Sequence, residues 1–171
     1  MSSKGYVLPT VYQGNYNPLS RLNELELFPL LRKLKMAFYA YSPLAGGFLV
    51  KTPEFVSAGN KGRWDKGKSY GQLYHKLYNK PSMLEALNQW EAISKESGIT
   101  KAALAYRWVT FNSQLATKFG DGIIIGASRL SQLEETLKSL EDGPLDSKVT
   151  QQIDKVWETV KHEAPFDNYS G

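Results

Sequence analysis

The chain has 171 residues, of which 42% are hydrophobic and 22% charged, and its formal net charge is +4. This length is typical of a single domain with one hydrophobic core, and we treat residues 1–171 as one domain. The charges are interspersed without a long run of one sign, which argues against a nucleic-acid partner. The absence of cysteine excludes disulfides and thiolate catalysis, and two histidines without cysteine argue against a metal site.

The sequence also lacks an apolar run that could cross a membrane. A spanning helix needs about 18 consecutive apolar residues, and no segment approaches that length. The first residues contain no apolar signal region. We therefore expect a cytoplasmic protein that has no membrane partner.

Three short β-prone segments alternate with helical segments. They lie at residues 9–13, 36–41 and 123–125, and the last is an unbroken run of isoleucines. Such a run is typical of a strand buried on both faces. The strand–helix–strand order predicts an α/β fold with a parallel sheet.

Five helices are predicted from apolar periodicity and from capping residues. Pro29 should kink or split the first of them. Two begin with capping-box patterns at Ser82 and Ser131. The predicted helices are 22–35, 82–96, 100–111 after Thr100, one beginning at Ser131, and 146–162 after Asp146.

Between these elements, residues 48–81 are polar, rich in glycine and lysine, and predicted as a long loop with a possible short helix at 70–78. Loops of this length in a compact domain are usually functional or mobile. The tail, residues 163–171, is predicted to be irregular.

Three segments together form a more specific pattern than any single motif. They read VYQGNYN at residues 11–17, FYAYSPLAGG at 38–47 and IGASRLSQLEE at 125–135, with GRW at 62–64 and GPL at 143–145 in the same register. This ordered set resembles the aldo-keto reductases, especially their aflatoxin-aldehyde-reductase-like branch. The resemblance extends from residue 6 to about residue 165.

In that family these segments are the last three strands of an eight-stranded barrel. The resemblance therefore implies a partial TIM barrel of about three parallel strands, not a closed eight-stranded barrel within this chain. It also places the functional site at the carboxyl ends of the strands.

The resemblance implies an NADP(H) site and assigns its contacts by position. Gln13 would hydrogen-bond the nicotinamide carboxamide, and the ring of Tyr41 would stack on the nicotinamide. The turn that contains Ser42, Leu44 and Gly46 would offer backbone N–H groups to the pyrophosphate. The expected contacts at the adenosine 2′-phosphate and the adenine are Ser128, Arg129, Gln132 and Glu135. Thr136 departs from the pattern, because the family usually has asparagine there.

The resemblance also implies that a catalytic set is missing. The family's proton-donor tyrosine, its lysine and aspartate partners and its oxyanion-site histidine lie on the first half of the barrel, and no segment here resembles those motifs. Without a placed general acid, conventional carbonyl reduction is in doubt for this chain alone. The candidate catalytic residues are Tyr39, Tyr41, Arg63 and His75.

Each of these residues also has a simpler interpretation. Tyr41 could be a half-buried aromatic residue at a strand end, and Gln13 a turn residue. Arg63 and Arg129 could be solvated surface charges. His75 could lie on a solvated helix face rather than act as a general base.

Three functions remain open. The first is a shortened NADP(H)-linked oxidoreductase acting on a small carbonyl or alcohol compound. The second is a redox-neutral enzyme of small-molecule biosynthesis, such as a cyclase, isomerase or dehydratase, that reuses the pocket. The third is a non-catalytic remnant or binding protein.

An isolated three-stranded parallel sheet would leave apolar surface and strand edges uncovered. A few hundred Å² of exposed apolar surface, at about 25 cal/mol per Å², costs as much as the whole stability of a small domain. We therefore expect a homo-oligomer, a dimer or higher, or a complementing chain.

Overall fold

The computed structural model describes residues 5–169. Residues 1–4 of the predicted signal-free N-terminus and residues 170–171 of the predicted tail lie outside the described residues. The strands and helices, in chain order, are β1 (Val11–Asn15), α1 (Leu27–Leu34), β2 (Ala37–Tyr41), α2 (Pro53–Ala58), α3 (Ser69–Tyr78), α4 (Pro81–Ser97), α5 (Lys101–Arg107), β3 (Gly122–Ile123), α6 (Leu130–Glu141) and α7 (Ser147–Val160).

The sheet is parallel, with strand order β1-β2-β3, which confirms the predicted open α/β arrangement. Val11 pairs with Ala37, and Asn15 pairs with Tyr41. The contact between β2 and β3 is short and begins with Tyr39 opposite Gly122. The described strands do not close into a barrel, and their parallel order with helices between them is that of a partial TIM barrel.

One face of the sheet carries the hydrophobic core. Phe38 is fully buried there, whereas its neighbour Tyr39 points to the other face and is 42% exposed. Phe38 lies against Phe28 of α1 with ring centroids 4.8 Å apart and against Tyr16 at 6.0 Å. A Cβ atom at Gly14 would lie 2.6 Å from the Phe38 ring, so glycine is needed for this close packing.

The predicted loop at 48–81 is wrong, because most of this segment is helical. A 3₁₀ segment, Ala45–Val50, leads into α2, a short 3₁₀ turn covers Gly62–Trp64, and α3 spans Ser69–Tyr78. Of this segment, only the short helix at 70–78 was anticipated. Apolar burial overrides the polar composition, because Trp64 is almost fully buried against Phe48, 5.8 Å between ring centroids.

The predicted starts of two helices are also wrong. α4 begins at Pro81, since proline is well suited to the first helical position. Ser82 is therefore the second residue of the helix rather than its cap, and its hydroxyl is buried without a hydrogen-bond partner. α6 begins at Leu130 rather than at Ser131. The caps at Thr100 and Asp146 are confirmed. The Thr100 hydroxyl accepts the Ala103 backbone N–H, and the Asp146 carboxylate accepts the Val149 backbone N–H.

The third strand differs from its prediction. β3 has two residues, Gly122 and Ile123, although the Ile124 N–H continues the pairing by donating to the Ala40 carbonyl at 2.8 Å. The three isoleucines at 123–125 are half-buried, not buried on both faces.

The remaining elements follow the sequence more closely. The first predicted helix is split into a 3₁₀ turn, Leu22–Glu24, and α1, in which Pro29 occupies the first turn. α5 continues into a wider π-helical turn, Trp108–Asn112. The tail has neither helix nor strand from 163 to 169. Over the described residues, no helix has the length and apolar character needed to span a membrane.

Candidate functional site

A cleft of about 780 Å³ opens at the carboxyl ends of β2 and β3. Its walls come from the turn after β2, the segment around the 3₁₀ turn at 62–64, the segment after β3 and three helix residues, Phe55, Tyr106 and Gln132. The lining residues used below are Ser42, Leu44, Gly46, Lys51, Phe55, Lys61, Arg63, Trp64, Tyr106, Gly126, Ser128 and Gln132.

The turn after β2 has a strained backbone. Ser42 and Ala45 have φ angles of 54° and 52°, a region that residues with a Cβ atom rarely adopt. The turn is held by hydrogen bonds from the Ala45 N–H to the Ser42 carbonyl, 2.8 Å, and from the Asn17 side-chain amide to the same carbonyl, 3.2 Å. Gly46, at φ 67°, must be glycine for a second reason, since a Cβ atom would overlap the Tyr74 ring.

Gly126 is different, because the protein itself gives no reason for a glycine there. Its φ lies outside the left-handed region, and a Cβ atom at this position would have no neighbour within 4 Å. It lies in the wall of the cleft. Neither packing nor backbone geometry explains why this residue has no side chain. The open space leaves room for a ligand to approach the main chain.

The cleft is electropositive. Lys51, Lys61 and Arg63 line it, and no carboxylate is among the lining residues of the described part of the chain. The ammonium group of Lys51 lies 4.4 Å from the centre of the Phe55 ring, and the guanidinium carbon of Arg63 lies 5.9 Å from the centre of the Tyr74 ring. Cations gathered in a concave site favour an anionic ligand.

The segment before α6 is held by a predicted site residue. The Gln132 side-chain carbonyl accepts hydrogen bonds from the Ser128 backbone N–H at 3.1 Å and from the Ser128 hydroxyl at 2.9 Å. This pair takes the place of the predicted Ser131 capping box. Gln132 therefore shapes the cleft wall through Ser128.

The structure brings only part of the predicted cofactor set together. Ser42, Leu44, Gly46, Ser128 and Gln132 line one cleft. Arg129 and Glu135 are exposed beside it and do not line it. Thr136 is buried, with its hydroxyl donating to the Gln132 backbone carbonyl at 2.8 Å, so it turns inward rather than towards the cleft.

Gln13, Tyr39 and Tyr41 form a second group on the open face of the sheet. The register pairs Gln13 with Tyr39, and Tyr41 follows two residues later on the same face. None of the three lines the cleft, although Tyr41 directly precedes Ser42, which does. This group therefore adjoins the cleft at the turn after β2.

The tail lies over the end of this group. The Asn168 side-chain amide donates to the Ser42 hydroxyl at 3.0 Å, and the Lys80 ammonium donates to the Glu163 carbonyl at 3.0 Å. Burial raises the pKa of the Tyr41 hydroxyl, the backbone N–H of Asn168 opposes this shift, and the nearby Tyr169 adds to it. Tyr41 is thus partly covered by residues 167–169.

His75 has a structural environment. Its Nε2 atom lies 3.1 Å from the Trp64 carbonyl, its Nδ1 atom lies 3.1 Å from the Asn79 side-chain nitrogen, and its ring meets Trp64 edge-on at 5.8 Å. Both ring nitrogens therefore contact protein groups, and the imidazole is not directed into the cleft. This arrangement favours neither the solvated-face interpretation nor a general base.

Sequence reasoning missed several residues of the cleft. Lys51 and Lys61 fall in the segment interpreted as a loop, where the abundance of lysine was the only signal. The sequence predicts Tyr106 only as a helix residue, and the structure adds that it lines the cleft. Burial raises the pKa of its hydroxyl, and the backbone N–H of Gly126 opposes this shift, so Tyr106 and Gly126 are neighbours.

The sequence matches known proteins over nearly its whole length. The model of the Aldo/keto reductase family matches residues 1–158. Oxidoreductase sirO from Leptosphaeria maculans is 45% identical over 163 residues, which are 95% of this chain and 49% of that protein. Aflatoxin B1 aldehyde reductase member 2 from Homo sapiens is 41% identical over 172 residues, 95% of this chain and 47% of that protein.

The chain thus spans about half the length of the curated relatives it matches. The parallel strands, the turn after β2 and the segment before α6 all lie within the matched residues. Together, the fold and the match over residues 1–158 show that this chain belongs to the aldo/keto reductase family.

Proposed function

We propose that the cleft binds the pyrophosphate and adenosine phosphate of NADP(H), as part of an oxidoreductase that acts on a small carbonyl or alcohol compound. The observation that carries this proposal is Gly126, whose missing side chain faces open space in a cationic cleft. The names of the two relatives, an oxidoreductase and an aldehyde reductase, support the same class of reaction.

The residues present fit such a cofactor. Lys51, Lys61 and Arg63 would offset the negative charge of phosphate groups, and Ser128 lines the same cleft. α6 begins at Leu130, two residues after Ser128, and the aligned peptide dipoles of this helix favour an anion at its N-terminus. The cofactor would supply the hydride, and this chain's residues would hold and orient it.

The nicotinamide end would extend over the open sheet face. Gln13 offers an amide that both donates and accepts, and Tyr41 offers a ring at the end of β2. Carbonyl reduction also requires a proton at the forming alkoxide. On this face the phenols of Tyr39 and Tyr41 are the groups of this chain that could hold such a proton.

Cofactor titration tests the proposal. Because Trp64 lines the cleft, NADPH binding should change the intrinsic tryptophan fluorescence, with micromolar affinity and weaker binding of NADH. Lys61→Gln should weaken NADPH binding about tenfold by removing one charge-assisted contact. Lys155→Gln, at an exposed position of α7, is the matched control. Unchanged fluorescence and no calorimetric heat at millimolar NADPH would exclude the cofactor site.

One observation favours a second candidate, a redox-neutral biosynthetic enzyme. Residues 167–169 lie against Tyr41, where a nicotinamide ring would stack. A cleft that binds an anionic small molecule without hydride transfer would tolerate this tail. Turnover of a phosphorylated or carboxylated substrate without added NADPH would support this candidate, whereas strict NADPH dependence would exclude it. On either proposal, we expect the protein to act in the cytoplasm.

A further inference from the structure

The first part of the tail is anchored to the body of the fold. The Glu163 carbonyl accepts a hydrogen bond from the Lys80 ammonium group at 3.0 Å, and the Pro165 carbonyl accepts one from the Ser20 hydroxyl at 2.5 Å. Pro165 is buried, and so is the Ser20 side chain that holds it. We call residues 163–165 the anchor.

Residues 166–169, which we call the latch, are held less firmly. Asn168 donates its side-chain amide to the Ser42 hydroxyl at 3.0 Å, but its side-chain carbonyl oxygen is buried without a hydrogen-bond partner. The side chains of Phe166 and Tyr169 are 48% and 82% exposed. A buried acceptor without a donor disfavours the docked position, and exposed rings add little apolar burial in its favour. The docked latch is therefore only marginally stable.

The latch lies where the cleft meets the open face of the sheet. Ser42 lines the cleft, and Tyr41, the residue before it, belongs to the group on the open face. Asn168 contacts both residues, because its side-chain amide reaches the Ser42 hydroxyl and its backbone N–H meets the Tyr41 hydroxyl. A ligand that extends from the cleft to the open face must pass these two residues.

The turn that carries Ser42 is fixed by groups outside the tail. The Ser42 carbonyl accepts hydrogen bonds from the Ala45 N–H at 2.8 Å and from the Asn17 side-chain amide at 3.2 Å. Release of the latch would free the Ser42 hydroxyl and leave both of these hydrogen bonds in place. The latch can therefore be displaced without loss of the cleft wall.

We propose that the latch is an autoinhibitory contact, which the nicotinamide half of NADP(H) must displace in order to bind. This inference rests on the proposed cofactor site. The anchor keeps a displaced latch close to the site, so the latch competes with the cofactor as an intramolecular ligand. Only molecules with an undocked latch bind the whole cofactor, and the apparent affinity is lowered by that fraction.

Two nucleotides separate the latch from the rest of the site. NADPH carries the nicotinamide half, whereas adenosine 2′,5′-bisphosphate lacks it and would occupy only the part of the cleft near Ser128. Asn168→Ala removes the hydrogen bond to Ser42 and should tighten NADPH binding about three- to tenfold. The affinity for the bisphosphate should stay unchanged, which also shows that the cleft is intact.

Isothermal titration calorimetry measures both affinities. The matched control is Asn88→Ala, at an exposed position of α4, where the asparagine amide contacts the Glu85 carboxylate. This variant should bind both nucleotides as the native chain does.

Hydrogen exchange gives an independent readout. NADPH should raise the amide exchange rate of residues 166–169 in the native chain, because a displaced latch is open to water, and the bisphosphate should leave this rate unchanged. The Glu163 N–H, which donates to the Val160 carbonyl at 3.0 Å, should keep its protection with either nucleotide.

The possible results distinguish the latch from the cofactor site. Unchanged or weaker NADPH binding by Asn168→Ala, with the bisphosphate still bound, would overturn the latch alone, and so would an equal gain for both nucleotides. Protection of residues 166–169 by NADPH would also overturn it, since the tail would then close over the cofactor. If neither nucleotide binds the native chain or the variant, the proposed cofactor site itself is refuted.

Discussion

The carboxylate of Asp121 accepts both guanidinium hydrogen bonds of Arg32, at 2.8 and 2.6 Å, and its side chain is only 1% exposed. The same carboxylate accepts the backbone N–H groups of Phe38 at 2.8 Å and of Ala116 at 2.9 Å. One side chain therefore joins α1, the beginning of β2 and the segment before β3. This junction lies at the amino ends of the strands, opposite the cleft.

Replacing Asp121 with asparagine should destabilise the fold by about 3–5 kcal/mol, because the substitution leaves a partly buried guanidinium without its counter-charge. Urea unfolding followed by circular dichroism measures this loss. Asp142→Asn is the matched control, since the Asp142 carboxylate is 68% exposed and 3.6 Å from its Arg107 partner. It should cost less than about 1 kcal/mol. Equal losses for the two variants would contradict the structural role given to Asp121.

The order of elements was predictable because it depends on local patterns. Alternating apolar segments predicted three strands and their parallel order, and Thr100 and Asp146 marked two helix starts. The helical nature of 48–81 was also readable in part, since Thr52 caps α2, Pro53 occupies its first position and Gly59 ends it in the left-handed region. The polar composition of residues 48–81 nevertheless predicts a loop, because these short capping signals are weaker than the composition of the whole segment.

Other features depend on contacts that no local pattern encodes. The link between Arg32 and Asp121 spans 89 positions of sequence, and the contact between Ser42 and Asn168 spans 126. The isoleucines of 123–125 predict full burial, whereas the structure leaves them half-buried. The resemblance assigns Ser128 and Gln132 to the adenosine end of an expected cofactor site, but it does not predict the hydrogen bond between their side chains.

The stability of the fold should fall at alkaline pH because of Tyr16. Its hydroxyl is buried, donates to the Glu24 carboxylate and accepts from the Gln114 N–H, and burial and the Glu24 charge raise its pKa far above the ordinary value. Below pH about 10 the hydroxyl is protonated in both the folded and the unfolded chain, so its contribution is constant. Above that pH the unfolded chain loses the proton first, and the free energy of unfolding decreases.

Tyr16→Phe should therefore cost about 1–2 kcal/mol at neutral pH, through the lost hydrogen bonds, and should reduce the slope of the decline above pH 10. Thermal unfolding between pH 8 and pH 11 measures both effects. Tyr70→Phe removes an exposed hydroxyl and is the matched control. A Tyr16→Phe curve parallel to that of the native chain would show that Tyr16 ionises equally in both states.

Arg107 holds α5 to the turn after α6. Its guanidinium donates to the backbone carbonyls of Gly143 at 2.8 Å and Pro144 at 3.0 Å, and the side chain is largely buried. Arg107→Lys should destabilise the chain by about 2–3 kcal/mol, because an ammonium group cannot reach several carbonyls with the fixed spacing of a guanidinium. Urea unfolding measures the loss, and a change below 0.5 kcal/mol would show that this anchor is dispensable.

Gly126→Ala separates ligand binding from folding. Since an added Cβ atom meets no protein atom within 4 Å and the backbone is not left-handed, the free energy of unfolding should change by less than about 0.5 kcal/mol. NADPH affinity should nevertheless fall about tenfold or more, because the methyl group would occupy space that the cofactor requires. Fluorescence titration and urea unfolding of one preparation give both values. Gly46→Ala is the contrasting variant and should destabilise the fold, because its Cβ atom would overlap Tyr74. If folded Gly126→Ala binds NADPH with unchanged affinity, the cofactor binds elsewhere.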